Sequence, residues 1–129
     1  YEENIEKLCD NEILLRTGEV KEASKFISHF DCLILPSKSE GMPITILEAF
    51  REKTVVMGSD IHGIKDIVKN NENGFLFNLK KNNDLLKKLM NLVEVKKINI
   101  LKKARRDFLE NYTLENVAER YQEIYLSLN

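Results

Sequence analysis

Pro36-Ser37-Lys38-Ser39-Glu40-Gly41-Met42-Pro43-Ile44-Thr45-Ile46-Leu47-Glu48 is the stretch on which the fold turns. The apolar run Asp31-Cys32-Leu33-Ile34-Leu35 leads into it, and apolar residues at helical spacing follow from Ile44 to Glu52. A buried strand, a turn holding Gly41 and Pro43, then an amphipathic helix is half of a βαβ unit. In open α/β sheets ligands bind at the carboxyl ends of the strands, where such turns lie. Any chemistry is therefore expected at this turn.

The same alternation continues outward. Downstream, residues 54–57 are apolar and mostly β-branched, a third strand closed by Gly58-Ser59. Ile64, Ile67 and Val68 have the spacing of one or two helical turns. Asn70, Asn71, Asn73 and Gly74 mark a turn, and Phe75-Leu76-Phe77 a short strand. Asn82 or Asn83 caps a helix to Val95, with Leu85, Leu86, Leu89, Met90, Leu92 and Val93 expected inside. Residues 97–111 predict another helix, and Thr113 caps a last one with an apolar face from Leu114 to Leu128. Upstream, residues 19–30 predict a helix burying Val20, Ala23, Phe26, Ile27 and Phe30. Ile13-Leu14-Leu15 predicts a strand, and residues 3–9 a short helix. The expectation is one α/β domain over residues 1–129. It has a mainly parallel sheet of about four short strands flanked by helices, and a helical tail from about residue 82.

Composition narrows the function. The chain has 129 residues, 43% hydrophobic and 32% charged, as in a globular domain. A net charge of -1 argues against an extended nucleic-acid surface. No apolar run approaches the ~20 residues of a membrane span, and the first residues lack a signal-peptide pattern. Tyr1 rather than Met at the start predicts a truncated chain. Cys9 and Cys32 lie in apolar patterns and are expected as buried thiols in a reducing cytosol. With His29 and His62 they match no zinc spacing, so no metal is expected. The lysines near residues 80–88 and 96–106 are expected on solvated helix faces.

The turn can do two things. Glu40 and Glu48 are eight positions apart, about 12 Å along one helix. That is long for the paired carboxylates of a retaining glycosidase. With Pro43 in the first helical turn, Glu40 lies in the loop and the axial distance no longer applies. The amides of Gly41, Met42, Ile44 and Thr45 are near a helix N-terminus, where free N–H groups and the dipole favour a phosphate. Gly41 lets a ligand come close to the backbone, and a carboxylate farther on can accept sugar hydroxyls. By spacing alone, a nucleotide-sugar site and an ordinary pair of loop and helix glutamates both stand.

The order of motifs resembles the C-terminal domain of retaining glycosyltransferases of the GT-B fold, closest to the family-4 group. The resemblance covers roughly residues 11–128. Its Glu-x7-Glu signature is matched by Glu40 and Glu48, preceded by Pro36 and Ser37, with Gly41, Pro43 and Ala49 in place. A Ser-Asp-x-x-Gly loop is matched by Ser59, Asp60 and Gly63, and Asn-Gly before a strand by Asn73 and Gly74. Lys53 and Val55 stand where the family often has Gly-x-Pro, and His62 where it has Gly.

The resemblance implies a Rossmann-like, partial GT-B C-terminal domain that transfers sugar from a nucleotide-diphosphate donor, UDP- or GDP-linked, with retention. Glu48 would hold the donor ribose. Glu40 would be the catalytic residue, facing the donor sugar or its phosphates. Gly41, Met42, Pro43 and Ile44 would meet the diphosphate through their backbone, with Lys38 beside it. No metal or cofactor is implied. The acceptor, a glycan or a lipid-linked one, would bind through a missing N-terminal domain, so the chain alone would be inactive. The first strands of the donor domain are missing too, so a partner chain or second copy is expected over the open strand edge. The expected place is the cytoplasm, including the inner face of the membrane. A non-catalytic interaction module and a GT-B sugar epimerase fragment are the alternatives.

Overall fold

The computed structural model describes residues 14–94 and 97–128. Three strands, β1 (Cys32–Leu35), β2 (Val55–Ser59) and β3 (Phe75–Phe77), lie parallel in the order β1-β2-β3. Cys32 pairs with Val55 and Leu35 with Gly58 on one side of β2, and Met57 with Phe75 on the other. A short 3-10 helix, Ala23–His29, precedes β1. The helices are α1 (Ile44–Arg51), α2 (Ile64–Ile67), α3 (Asp84–Glu94), α4 (Ile98–Asn111) and α5 (Leu114–Ser127). This is the α/β architecture with a parallel sheet, flanking helices and a helical C-terminus that the alternation predicts.

β2 is the axis of the molecule because all five of its residues are buried. Side chains alternate across a strand. Val56 therefore joins Ile46, Ala49, Phe50, Ile64 and Val68 on one face, and Val55 and Met57 join Phe75, Phe77, Leu92 and Ile100 on the other. Each large side chain fully buried this way contributes about 1.5–3 kcal/mol. Gly58 permits the closest approach: a Cβ there would stand 2.5 Å from Cγ2 of Ile64 on α2.

α1 ends in a Schellman motif. Lys53 N–H donates to the Phe50 carbonyl at 3.3 Å and Thr54 N–H to the Ala49 carbonyl at 2.8 Å. Lys53 takes φ 58° to make this turn. Glycine is the residue that does so without strain, so the departure from the family pattern here concerns a helix end. Thr54 Oγ1 then donates to the Ile27 carbonyl at 2.7 Å, tying the 3-10 helix to β2.

Several expectations are corrected. Leu14 and Leu15 form no strand, and Leu15 is 83% exposed. Ile13 lies outside the described residues. The sheet therefore has three strands among the described residues, not four. With the outer edge of β1 unpaired, the run has no ladder to join, and backbone alone does not hold a strand. The helix over 19–30 contracts to the 3-10 turn Ala23–His29, where only Ile27 is buried, and Phe26 and Phe30 are exposed. β1, expected to be covered on both faces, is only half-buried, since it is an edge strand here. α3 buries Leu92, while Leu86, Met90 and Val93 are exposed. α5 begins at Thr113, whose hydroxyl accepts from Asn116 N–H at 3.3 Å, yet none of its residues is buried. The helix expected over residues 3–9 lies outside the described residues, as does Cys9. Cys32 is a free thiol, half-buried rather than buried.

Candidate functional site

Parallel strands put the loops after β1, β2 and β3 at one end of the sheet. The loop after β1 runs to Pro43, which is buried and takes the N-cap position of α1 with φ -73°. Pro43 thus stands one residue before the helix rather than in its first turn, which still leaves its missing N–H without consequence. The Pro43 carbonyl accepts from Ile46 N–H at 3.1 Å, and no side chain caps the helix. Among the described residues, the amides of Gly41, Met42, Ile44 and Thr45 have no acceptor. The helix dipole adds to these donors, so the loop presents partial positive charge to solvent.

Glu40 is held from within the loop. Ser37 Oγ donates to Glu40 Oε1 at 2.7 Å. The Ser37 carbonyl accepts from Ser59 Oγ, a fully buried hydroxyl at the end of β2, with the Leu35 carbonyl 3.4 Å away as a second acceptor. The loop after β2 closes on the same peptide. A Cβ on Gly63 would stand 2.3 Å from the Glu40 carbonyl oxygen and 2.6 Å from that of Gly41. Gly63 has φ +84°, and its N–H donates to Asp66 Oδ2 at 2.9 Å. That backbone bond holds the Asp66 carboxyl below its ordinary range, with further help from His62, whose Nδ1 lies 2.5 Å from it. His62 is otherwise exposed.

Around a Cβ on Gly41, in contrast, nothing would lie within 4 Å. Met42 and Ile44 are exposed beside it at 62% and 64%. With Tyr121 and Ile124 of α5 and Arg120 between them, they line a hollow of about 460 Å³. Glu48 is half-buried on the α1 face shared with Ile44, Leu47 and Arg51. It lines a second hollow of about 420 Å³ against Tyr112 and Thr113. Lys38 is exposed and lines a third, about 530 Å³, with Asp60, Asn78 and Lys80 from the loops after β2 and β3. Glu40, Gly41, Met42, Pro43 and Ile44 are thus brought together at the head of α1, while Glu48 and Lys38 open onto separate hollows. No group of three His, Cys, Asp or Glu residues fit to hold a metal occurs among the described residues.

Sequence reasoning missed three contributors. Ser37, Ser59 and Gly63 appear in the motifs, but their convergence on Glu40 is a tertiary contact between loops. Lys80 and Asn78 beside Lys38 were equally hidden, because only the parallel order of β1, β2 and β3 makes their loops neighbours.

Comparison with known proteins gives this geometry a family. Residues 1–114 match the family described as glycosyl transferases group 1. The poly(ribitol-phosphate) alpha-N-acetylglucosaminyltransferase of Staphylococcus aureus is 27% identical over 95% of this chain and 25% of its own length. The N,N'-diacetylbacillosaminyl-diphospho-undecaprenol alpha-1,3-N-acetylgalactosaminyltransferase of Campylobacter jejuni is 30% identical over 84% of this chain and 29% of its own. The chain therefore spans between a quarter and a third of these relatives. Among solved structures, Anabaena HepE in complex with UDP superposes with a TM-score of 0.87 over 98% of this chain and 35% of that one. At 18% identity this is a likeness of fold. Staphylococcus aureus TarM superposes at 0.77 with 26% identity, over 95% of this chain and 26% of its own. With the match running through the β1–α1 loop and on to Leu114, this chain belongs to the group 1 glycosyltransferases.

Proposed function

We propose that this chain supplies the donor-binding half of a retaining glycosyltransferase that takes its sugar from a nucleotide diphosphate. Residues 1–129 act as one partial nucleotide-sugar-binding domain. The observation that carries this reading is the set of unpaired amides at Gly41, Met42, Ile44 and Thr45, with the fixed carboxylate of Glu40 at their edge. Such donors suit a diphosphate, whose charge grows as the sugar C1–O bond breaks and the acceptor oxygen takes its place. In this reading Glu40 faces the donor sugar, Gly41 to Ile44 meet the diphosphate, Glu48 holds the ribose, and Lys38 adds positive charge on the sheet side. UDP is the favoured nucleotide because HepE, the nearest in fold quoted above, was solved with UDP.

The acceptor reading follows from the relatives' names. Those of Campylobacter jejuni and Escherichia coli carry a diphospho-undecaprenol sugar in their names. A glycan or lipid-linked acceptor, brought by a second domain, is accordingly proposed here, with the cytoplasm or its membrane face as the place. No helix among the described residues is long and apolar enough to cross a membrane. A second reading, a non-catalytic interaction module, draws on the wholly unburied apolar face of α5.

Isothermal titration with UDP, GDP, ADP and UDP-glucose tests the proposal. Binding of one diphosphate, weakened at least about tenfold by Glu48→Ala, is the expected result. Equal affinity in wild type and Glu48→Ala favours the interaction module.

A further inference from the structure

We propose that Ser37 and Ser59 are positioning residues that hold the Glu40 carboxylate in one orientation above the head of α1. The inference rests on the reading of Glu40 as a donor-facing group and names two residues through which that group is set. The chain of contacts starts at a rigid point. Ser59 ends β2, the strand buried along its whole length, and is itself fully buried. Its hydroxyl donates to the Ser37 carbonyl, which fixes the backbone of Ser37. The Ser37 hydroxyl then donates to Glu40 Oε1 at 2.7 Å, a bond to a charged acceptor and so a strong one.

The backbone of Glu40 is fixed independently. Gly63 lies against the Glu40 and Gly41 carbonyl oxygens so closely that a Cβ would stand 2.3 and 2.6 Å from them. Main chain and side chain of Glu40 are thus both set by the segment after β2, which reaches neither Met42 nor the open side of Gly41. A carboxylate held this way does not give up its rotamer freedom when a ligand arrives. Ser37 accounts for one carboxylate oxygen of Glu40. Oε2 has no protein partner among the described residues and is left for a sugar hydroxyl.

Two readouts on the full chain test this. NMR three-bond couplings report whether the Glu40 side chain keeps one rotamer, and titration with UDP-glucose, or GDP-mannose where UDP-glucose fails, reports affinity. Ser37→Ala is expected to average the Glu40 couplings and to lower affinity about tenfold, while Ser37→Thr, which keeps the hydroxyl, stays within about twofold. In a Glu40→Ala background Ser37→Ala is expected to change affinity by less than about twofold. Ser59→Ala, where it folds, is expected to average the couplings as well. A Glu40 that keeps its single rotamer in Ser37→Ala overturns the proposal. So does an equal loss of affinity in the Glu40→Ala background, since Ser37 would then touch the nucleotide-sugar itself or act through the fold. If wild type binds neither probe while Ser37→Ala frees Glu40, the donor-binding reading fails and the positioning stands.

Discussion

Gly41 and Gly63 face each other across one peptide and make opposite demands. Gly41 has room for a side chain on the protein side and carries no positive φ, whereas Gly63 has neither room nor a φ that other residues accept. Gly41→Ala should therefore leave the urea midpoint nearly unchanged, within about 0.5 kcal/mol, while lowering affinity for a nucleotide diphosphate. Gly63→Ala should cost about 2–4 kcal/mol from the clash and the strained φ together. Chemical denaturation beside titration separates the two. Lys53 offers the converse case. It holds φ 58° where its Cβ is a burden, so Lys53→Gly should raise stability by about 0.5–1 kcal/mol, measurable as a higher midpoint. These residue-level demands were half legible. The motif order placed Gly41, Gly63 and Lys53, but only coordinates distinguish a glycine needed by the fold from one whose open side suits a ligand.

At the scale of elements, the strands and helices that bury a face could be read, and those that do not could not. The limits of α1 and β3 follow the apolar spacing because Ile46, Ala49 and Phe50, and Phe75 and Phe77, all reach the core. Ile13-Leu14-Leu15 and residues 19–30 carry equally apolar patterns. The described part of them lacks a partner surface, and pattern without burial does not hold an element together. The turn before β3 is instead anchored by a polar residue. Asn73, only 2% exposed, donates to the Ile67 carbonyl at 3.1 Å and to Asp107 Oδ2 at 2.8 Å, and accepts from Lys69 N–H at 2.7 Å. Asn73→Ala leaves these groups unsatisfied and should cost roughly 2–4 kcal/mol, read from the thermal midpoint. The Asn-Gly of the motif is thus a brace between β3, α2 and α4.

Cys32 shows what partial cover of β1 does. Burial pushes its thiol up to about 11 from an ordinary 9.0, against the pull of Lys97. A folded-state value above the unfolded one means the contribution to stability is complete below about pH 9 and is lost as pH rises through about 11. Urea midpoints should fall across that window for wild type and stay flatter for Cys32→Ala.

The whole molecule has apolar surface left over. Phe26 and Phe30 of the first segment, Leu86, Met90 and Val93 of α3, and Tyr125 and Leu128 of α5 are all more than half exposed. Surface of this kind marks contact with another body. Sedimentation of the 129-residue chain should accordingly show association that grows with concentration, and loading α5 with Tyr121→Lys and Tyr125→Glu should reduce it. A single sedimenting species at all concentrations would speak against it.

The order β1-β2-β3 also bears on how the chain reaches its native state. Each ladder joins a strand to its predecessor across a single helix, so no pairing has to wait for a remote part of the polymer. Closing such short crossovers costs little chain entropy, and the contacts are local for a parallel sheet. Refolding from urea is then expected within milliseconds and in one exponential phase. The segment after Ser59 would settle last, because it can dock on Glu40 only once β2 has zipped.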